Sequence, residues 1–191
     1  MTGQHGFEIE WSELPKPVDD GAAAHLPGMV LPAVALPSTG GGTVALDRLT
    51  GTAVLYVYPM TGTPGVALPE GWNDIPGARG CTPQSCAFRD HFADLQAAGA
   101  AHVFGICTQS PVDQAAAAAR LHLPFPLLSD AAGALTRALR LPTFEADGIT
   151  CLKRLTLIAR DGWIATCFYP VFPPDRNAAE VESWLKAAPN R

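Results

Sequence analysis

Thr52-Ala-Val-Leu-Tyr-Val-Tyr-Pro59 is an unbroken run of apolar, β-branched and aromatic residues, preceded by Gly51 and stopped by Pro59. A strand with no polar alternation has no solvent face, so it belongs in the middle of a sheet covered on both sides. The segments that follow obey the same constraint. Ala101-His-Val-Phe-Gly-Ile-Cys107 reads as a second strand, Pro111 to Leu121 as an alanine-rich helix, Phe125-Pro-Leu-Leu128 as a short strand and Ala131 to Leu139 as a helix. Leu152 to Ala159 and Gly162 to Phe168 enclose Asp161-Gly162, and Asp-Gly between apolar runs predicts a hairpin. Asn177 to Ala187 carries Val181, Trp184 and Leu185 at helical spacing and closes the domain as an amphipathic helix. Alternating strands and helices that end in a hairpin and a helix predict an α/β domain with a mixed central sheet flanked by helices.

Upstream, Leu26 to Gly51 holds short apolar pieces broken by Pro27, Pro32, Pro37 and the glycines at 40–42, a pattern of brief strands and turns. Residues 1–25 are polar, show no period and read as an N-terminal extension, leaving 26–188 as one domain. At 191 residues, 48% hydrophobic and 16% charged, a single soluble domain is the expectation. The net charge of −5 provides no basic field for a phosphate backbone, so nucleic acid is not the expected partner. No apolar run approaches the ~18–20 residues of a membrane helix. The first ten residues lack the positive start and apolar stretch of a secretory signal, and a cytoplasmic location is expected.

Residues 60–80 hold five glycines, three prolines and no helical period, and a structureless stretch of that length inside a compact domain is usually functional. After it, Thr82 is the expected N-cap, Pro83 the first helical residue, and Phe88, Phe92 and Leu95 mark one helix running to Gly99. Cys81 therefore stands where a loop enters a helix. Unpaired N–H groups and the positive end of the helix dipole favour a thiolate there, which makes Cys81 the best nucleophile in the chain. Cys86, five residues on, would lie roughly 8.7 Å away between Cα atoms in an intact helix. A disulfide tolerates about 7 Å, so the two sulfurs could join only if the first turns opened.

Five cysteines, at 81, 86, 107, 151 and 167, are an odd number and do not suggest a secreted disulfide framework. Metal ligation by Cys81, Cys86 and His91 is one alternative, but the spacing is unusual for zinc and no second cysteine pair follows. Core packing is another. It is the better reading for Cys107, Cys151 and Cys167, which fall in or beside apolar strands. The histidines at 5, 25, 91, 102 and 122 are scattered, and Gly40-Gly-Gly-Thr lacks the Gly-Lys-Ser/Thr of a phosphate loop.

Gly80-Cys81-Thr-Pro-Gln-Ser-Cys86-Ala-Phe-Arg89-Asp90 resembles the active-site helix of Q-type, or bacterioferritin comigratory protein-like, peroxiredoxins. The resemblance covers roughly residues 26 to 188. Upstream it takes in Leu31 to Pro37 and the strand ending Tyr58-Pro59. Downstream it takes in Gly105-Ile-Cys-Thr-Gln-Ser-Pro111, Leu123-Pro-Phe-Pro-Leu-Leu-Ser-Asp130 and Arg154-Leu-Thr-Leu-Ile-Ala-Arg-Asp-Gly162. It implies a thioredoxin-like fold and a thiol peroxidase acting on hydrogen peroxide or organic hydroperoxides. Cys81 would be the peroxidatic and Cys86 the resolving cysteine, and Arg154 would steady the thiolate. No metal, flavin or haem is implied. The implied reductant is thioredoxin or a similar dithiol, and the implied state a monomer or weak homodimer.

One departure stands out. The family pattern Pro-x-x-x-Thr-x-x-Cys begins here as Pro59-Met-Thr-Gly-Thr63-Pro-Gly, but Val66 replaces the cysteine and fifteen residues, Val66 to Gly80, precede Cys81. The expectation is an insertion that loops out and leaves Pro59 and Thr63 in their usual places. If it does not, Thr82 or a backbone group would substitute. Arg79 and Arg89 both read as solvated residues, with a brace of the helix through Asp90 or a neighbouring carboxylate as the alternative for Arg89. Two rival readings keep the fold: a disulfide reductase or redox sensor without efficient peroxidase activity, and a silent scaffold in which the insertion has displaced Cys81.

Overall fold

The computed structural model describes residues 10–187. Positions 1–9 of the expected extension and position 188, the expected domain end, lie outside them. A small hairpin of β1 (Ala35–Pro37) and β2 (Thr43–Ala45) precedes the central strand β3 (Thr52–Val57). The helices α1 (Cys81–Asp90) and α2 (Phe92–Ala97) lead to β4 (Ala100–Cys107), α3 (Pro111–Leu121), β5 (Leu127–Ser129) and α4 (Ala134–Leu139). A second hairpin, β6 (Thr143–Ala146) and β7 (Ile149–Leu152), is followed by β8 (Leu155–Arg160), β9 (Trp163–Phe168) and α5 (Asn177–Ala187).

Five strands form one sheet in the order β5-β4-β3-β8-β9, with β3 parallel to β4 and antiparallel to β8. All six β3 residues are buried, as a strand without alternation requires. Leu55 and Val57 pack with Leu31, Leu135, Leu139 and Leu157 on one face. Val54 and Tyr56 pack with Phe88, Leu95, Ile158 and Val181 on the other, where α1, α2 and α5 lie. The Tyr56 ring stacks on Phe88 at 4.3 Å, which fixes α1 against the sheet.

Several boundaries differ from expectation. The first helix starts at Cys81, with Gly80 rather than Thr82 as its cap, and it breaks at His91 into α1 and α2 instead of running to Gly99. The Phe125–Leu128 strand shifts to Leu127–Ser129, because Pro124 and Pro126 bring no N–H and pairing with β4 begins at Leu127 opposite Gly105. The Ala131–Leu139 helix begins at Ala134, since the Asp130 carboxylate accepts from the N–H groups of Leu135 and Thr136 and so caps it there. The β6–β7 hairpin was not expected. Its turn, Asp147-Gly148 with both residues at positive φ, carries the same Asp-Gly signal as 161–162, but the flanking runs are short and mixed in polarity. Leu152 consequently belongs to β7, and Lys153-Arg154 links it to β8.

The described part of the extension is not detached. Trp11 meets Phe172 edge-on at 6.0 Å and donates from Nε1 to Asp175 at 2.9 Å. Asp20 accepts from Lys153 at 2.6 Å and from Tyr169 at 2.7 Å, and Ala23 is buried in the core.

Candidate active site at the start of α1

Gly80 turns the chain into α1 with φ of 103°, a conformation that side chains other than hydrogen rarely take. A Cβ there would meet Pro174 at 2.6 Å and the Trp11 ring at 2.8 Å, so the backbone approach also requires glycine. The Gln84 N–H bonds to the Gly80 carbonyl at 3.0 Å and closes the first turn. The N–H groups of Cys81 and Thr82 have no partner within the helix, and Pro83 has none to offer.

Cys81 is buried, with 5% of its surface exposed, and its Sγ lies 3.6 Å from the Ala78 carbonyl and 3.2 Å from Nη2 of Arg154. That guanidinium, on the link between β7 and β8, is itself only 3% exposed. Nη2 also faces the carbonyls of Gly77, Ala78 and Arg79 at 3.1–3.2 Å, and Nη1 donates to Oε1 of Gln84. Gln84 Nε2 donates to Oδ1 of Asn177 at 3.0 Å, and the Thr156 hydroxyl donates to that same oxygen at 2.6 Å. A buried chain thus runs from Thr156 in β8 through Asn177 in α5 and Gln84 in α1 to Arg154. Sequence reasoning missed Gln84, Thr156 and Asn177. The available signal was three polar side chains on faces that otherwise bury apolar groups.

Cys81 opens onto a cavity of about 220 Å³ whose walls include Met60, Leu68, Trp72, Arg79, Thr82 and Pro83. Segment 66–80 forms much of this wall. Trp72 leaves the segment to pack with Ala78, Ala146 and Cys151, giving it a small core of its own. Arg79 is half-buried and donates to the exposed Asn73 at 2.9 Å, and Arg89 takes its alternative role, pairing with Asp90 at 2.8 Å and also reaching the Leu121 carbonyl at 3.0 Å.

Pro59 is buried beyond the end of β3 and is not part of the cavity wall. Thr63 is exposed in a turn closed by the Val66 N–H on its carbonyl, and the structure does not bring it to Cys81. The cause lies two residues earlier. Thr61 is buried and held by Gln109 through three hydrogen bonds of 2.8–3.1 Å, and Arg120 grips the Gly62 carbonyl at 3.0 Å, so the chain leaves toward solvent at 63. Thr82 is the hydroxyl-bearing side chain among the residues lining this cavity.

All five cysteines are free thiols. Cys86 is half-buried on α1 outside the Cys81 cavity, and burial pushes its thiol up while the neighbouring Arg89 and Arg120 oppose that. Burial pushes Cys107 and Cys151 up to about 11 and Cys167 up to about 12, which keeps these thiols unreactive at neutral pH. His91 does not join the sulfurs. It bonds Glu182 at 2.7 Å, in a surface group with Asp94.

The arrangement sets a buried cysteine sulfur against a guanidinium at the mouth of a cavity that admits only a small electrophile. The family model described as Redoxin matches residues 26–185. The chloroplastic peroxiredoxin Q of Gentiana triflora is 29% identical over 162 residues, 84% of this chain and 67% of that protein. That of Triticum aestivum is 30% identical over 155 residues, 81% of this chain and 64% of that protein, so the chain spans about two thirds of these relatives. The crystal structure of peroxidoxin BcpB from Mycobacterium tuberculosis superposes with a TM-score of 0.68 at 26% identity, covering 86% of this chain and 98% of that one. Peroxiredoxin Q of Xanthomonas campestris, at 24% identity and a TM-score of 0.66, covers 84% of this chain and 97% of its own and shares the fold. Among the described residues no helix is long and apolar enough to cross a membrane.

Proposed function

This chain belongs to the Redoxin family as a Q-type peroxiredoxin, and we propose that its thiol-dependent peroxidase chemistry is carried by Cys81, Cys86 and Arg154. The observation that supports this most is Arg154 Nη2 at 3.2 Å from Cys81 Sγ at the start of α1. The guanidinium and the free N–H groups of the first turn stabilise the thiolate and the negative charge that develops on the peroxide oxygens.

The thiolate attacks one oxygen of ROOH, the O–O bond breaks, and RO⁻ leaves with a proton as water or an alcohol. Cys81 becomes a sulfenic acid, oxidised by two electrons. The Cys86 thiol then attacks that sulfur, releasing water and forming the Cys81–Cys86 disulfide, which an external dithiol such as thioredoxin reduces. Because α1 begins at Cys81 as regular helix, bonding requires its first turns to open. Thr82 and the backbone take the place expected of Thr63, and segment 66–80 acts as the cavity wall.

Peroxide consumption by the full chain with a dithiol reductant tests this. Cys81→Ser abolishes turnover, and Cys86→Ser completes one round and stalls. Mass spectrometry of the tryptic peptide from Gly80 to Arg89, which holds both sulfurs, shows a loss of two hydrogens after stoichiometric peroxide. Undiminished turnover in Cys81→Ser overturns the reading.

A further inference from the structure

The residues that line the cavity over Cys81 divide by depth. Trp72, 3% exposed, and Cys81, 5% exposed, belong to its floor together with the buried Ala78. Met60, Thr82 and Pro83 are half-buried and Leu68 is 37% exposed, so these four form the rim. Three of the four are apolar. Arg79, the charged residue of the lining, is tied to Asn73.

Leu68 owes its place to the path of segment 66–80. The chain leaves toward solvent at Thr63 and turns back at once: the Val66 N–H bonds to the Thr63 carbonyl at 3.1 Å, and Leu68 Cδ2 lies 3.4 Å from where a Cβ on Gly62 would stand. Four residues on, Trp72 is held with Ala78, Ala146 and Cys151, and its ring meets Phe144 at 5.9 Å. Leu68 is thus pinned between a turn and a small core, laid back over Gly62. Single exposed leucines are ordinary on a protein surface, but this one stands with Met60 and Pro83 around the opening over a nucleophilic sulfur.

The geometry of the displacement fixes what meets that rim. The thiolate attacks the terminal oxygen of ROOH along the O–O axis; the S–O bond forms as the O–O bond breaks, and RO⁻ leaves on the side away from the sulfur and takes up a proton. With the sulfur at the floor, that side is the rim. Hydrogen peroxide has no carbon to set against it and, at little more than the roughly 30 Å³ of a water, leaves most of the cavity of about 220 Å³ unfilled. We infer that Leu68, supported by Met60 and Pro83, is a specificity-determining residue that holds the hydrocarbon body of compact organic hydroperoxides, those with a tertiary alkyl or single-ring group. This rests on the peroxidase reading above and adds to it the side chain that sorts one hydroperoxide from another.

Stopped-flow rate constants of the reduced full chain with cumene hydroperoxide and with hydrogen peroxide test this. Their ratio is expected to fall about tenfold in Leu68→Asn, which keeps the size and removes the apolar surface, and to return to within about twofold of the wild type in Leu68→Met. A ratio unmoved by Leu68→Asn, or moved as far by Val112→Asn at an exposed position of α3, overturns the inference. A second readout needs no turnover. 2-Phenyl-2-propanol, the alcohol that cumene hydroperoxide leaves behind, is expected to slow iodoacetamide alkylation of Cys81 in the Cys86→Ser chain, where the tryptic peptide from Gly80 to Arg89 reports that sulfur alone. About tenfold more alcohol should be needed once Leu68→Asn is added. No protection, or equal protection in both chains, overturns the role of the rim. A chain protected by the alcohol that consumes neither peroxide sinks the proposed function while leaving the hydrocarbon site in place.

Discussion

Gln84 Oε1 accepts a hydrogen bond from Nη1 of Arg154, and the same side chain donates to Asn177 from its other end. Neither residue of this pair touches solvent to any extent, so α1 carries both the sulfur and the group that aims the guanidinium at it. The Cys81–Arg154 geometry is therefore set by a side chain one helical turn beyond the cysteine.

Replacing that side chain separates positioning from packing. Gln84→Leu leaves Arg154 Nη1 without its acceptor and is expected to cost about 1–3 kcal/mol of stability. Peroxide reduction by the folded variant should fall about tenfold or more, and Gln84→Glu, which restores the acceptor but loses the donor to Asn177 and sets a second anion on the guanidinium, should recover only part of the rate. Stopped-flow peroxide reaction and urea unfolding of both variants check this.

The two threonines should behave differently. Thr63→Val is expected to leave the peroxide reaction within about twofold, since Thr63 faces solvent and not the sulfur, whereas Thr82→Val removes a hydroxyl from the cavity wall and should slow it by about tenfold, the worth of one hydrogen bond to a charged group. Equal losses in the two would mean that Thr63 folds back over Cys81 during turnover.

Gly80→Ala is expected to destabilise the chain by about 2 kcal/mol or more, combining a strained positive φ with collision against Pro174 and Trp11. Trp11→Ala in the same chain should recover only part of the loss, because Pro174 remains at 2.6 Å from the new Cβ. Urea midpoints of the single and double variants measure both terms.

Alkaline stability follows from the buried thiols. Cys107 and Cys151 are raised from 9.0 to about 11 by burial, so below pH 9 both are protonated in folded and unfolded chains and contribute no pH dependence. Between about 9 and 11 the unfolded chain loses these protons first, and stability falls by up to ~1.4 kcal/mol per pH unit for each thiol. Urea unfolding under reductant should show that decline, and Cys151→Ala should make it shallower by up to one thiol's share.

The apolar run at 52–59 was enough to predict a central strand, and the loop-to-helix position of Cys81 was enough to single it out, because both depend on local patterns of side-chain type and backbone pairing. The Asp161-Gly162 hairpin was legible for the same reason. Asp147-Gly148 was equally local but lay between runs too short to read as strands. The cap at Gly80, the exit of the chain at Thr63 and the Gln84–Asn177–Thr156 network depend on contacts between residues tens of positions apart, where Trp11 and Pro174 crowd one glycine and Gln109 fixes one threonine. Sequence order carries the periodicities that choose helix or strand. Which buried polar atom finds which partner, and where a long loop turns, is decided only when distant segments compete for the same space and the same hydrogen bonds.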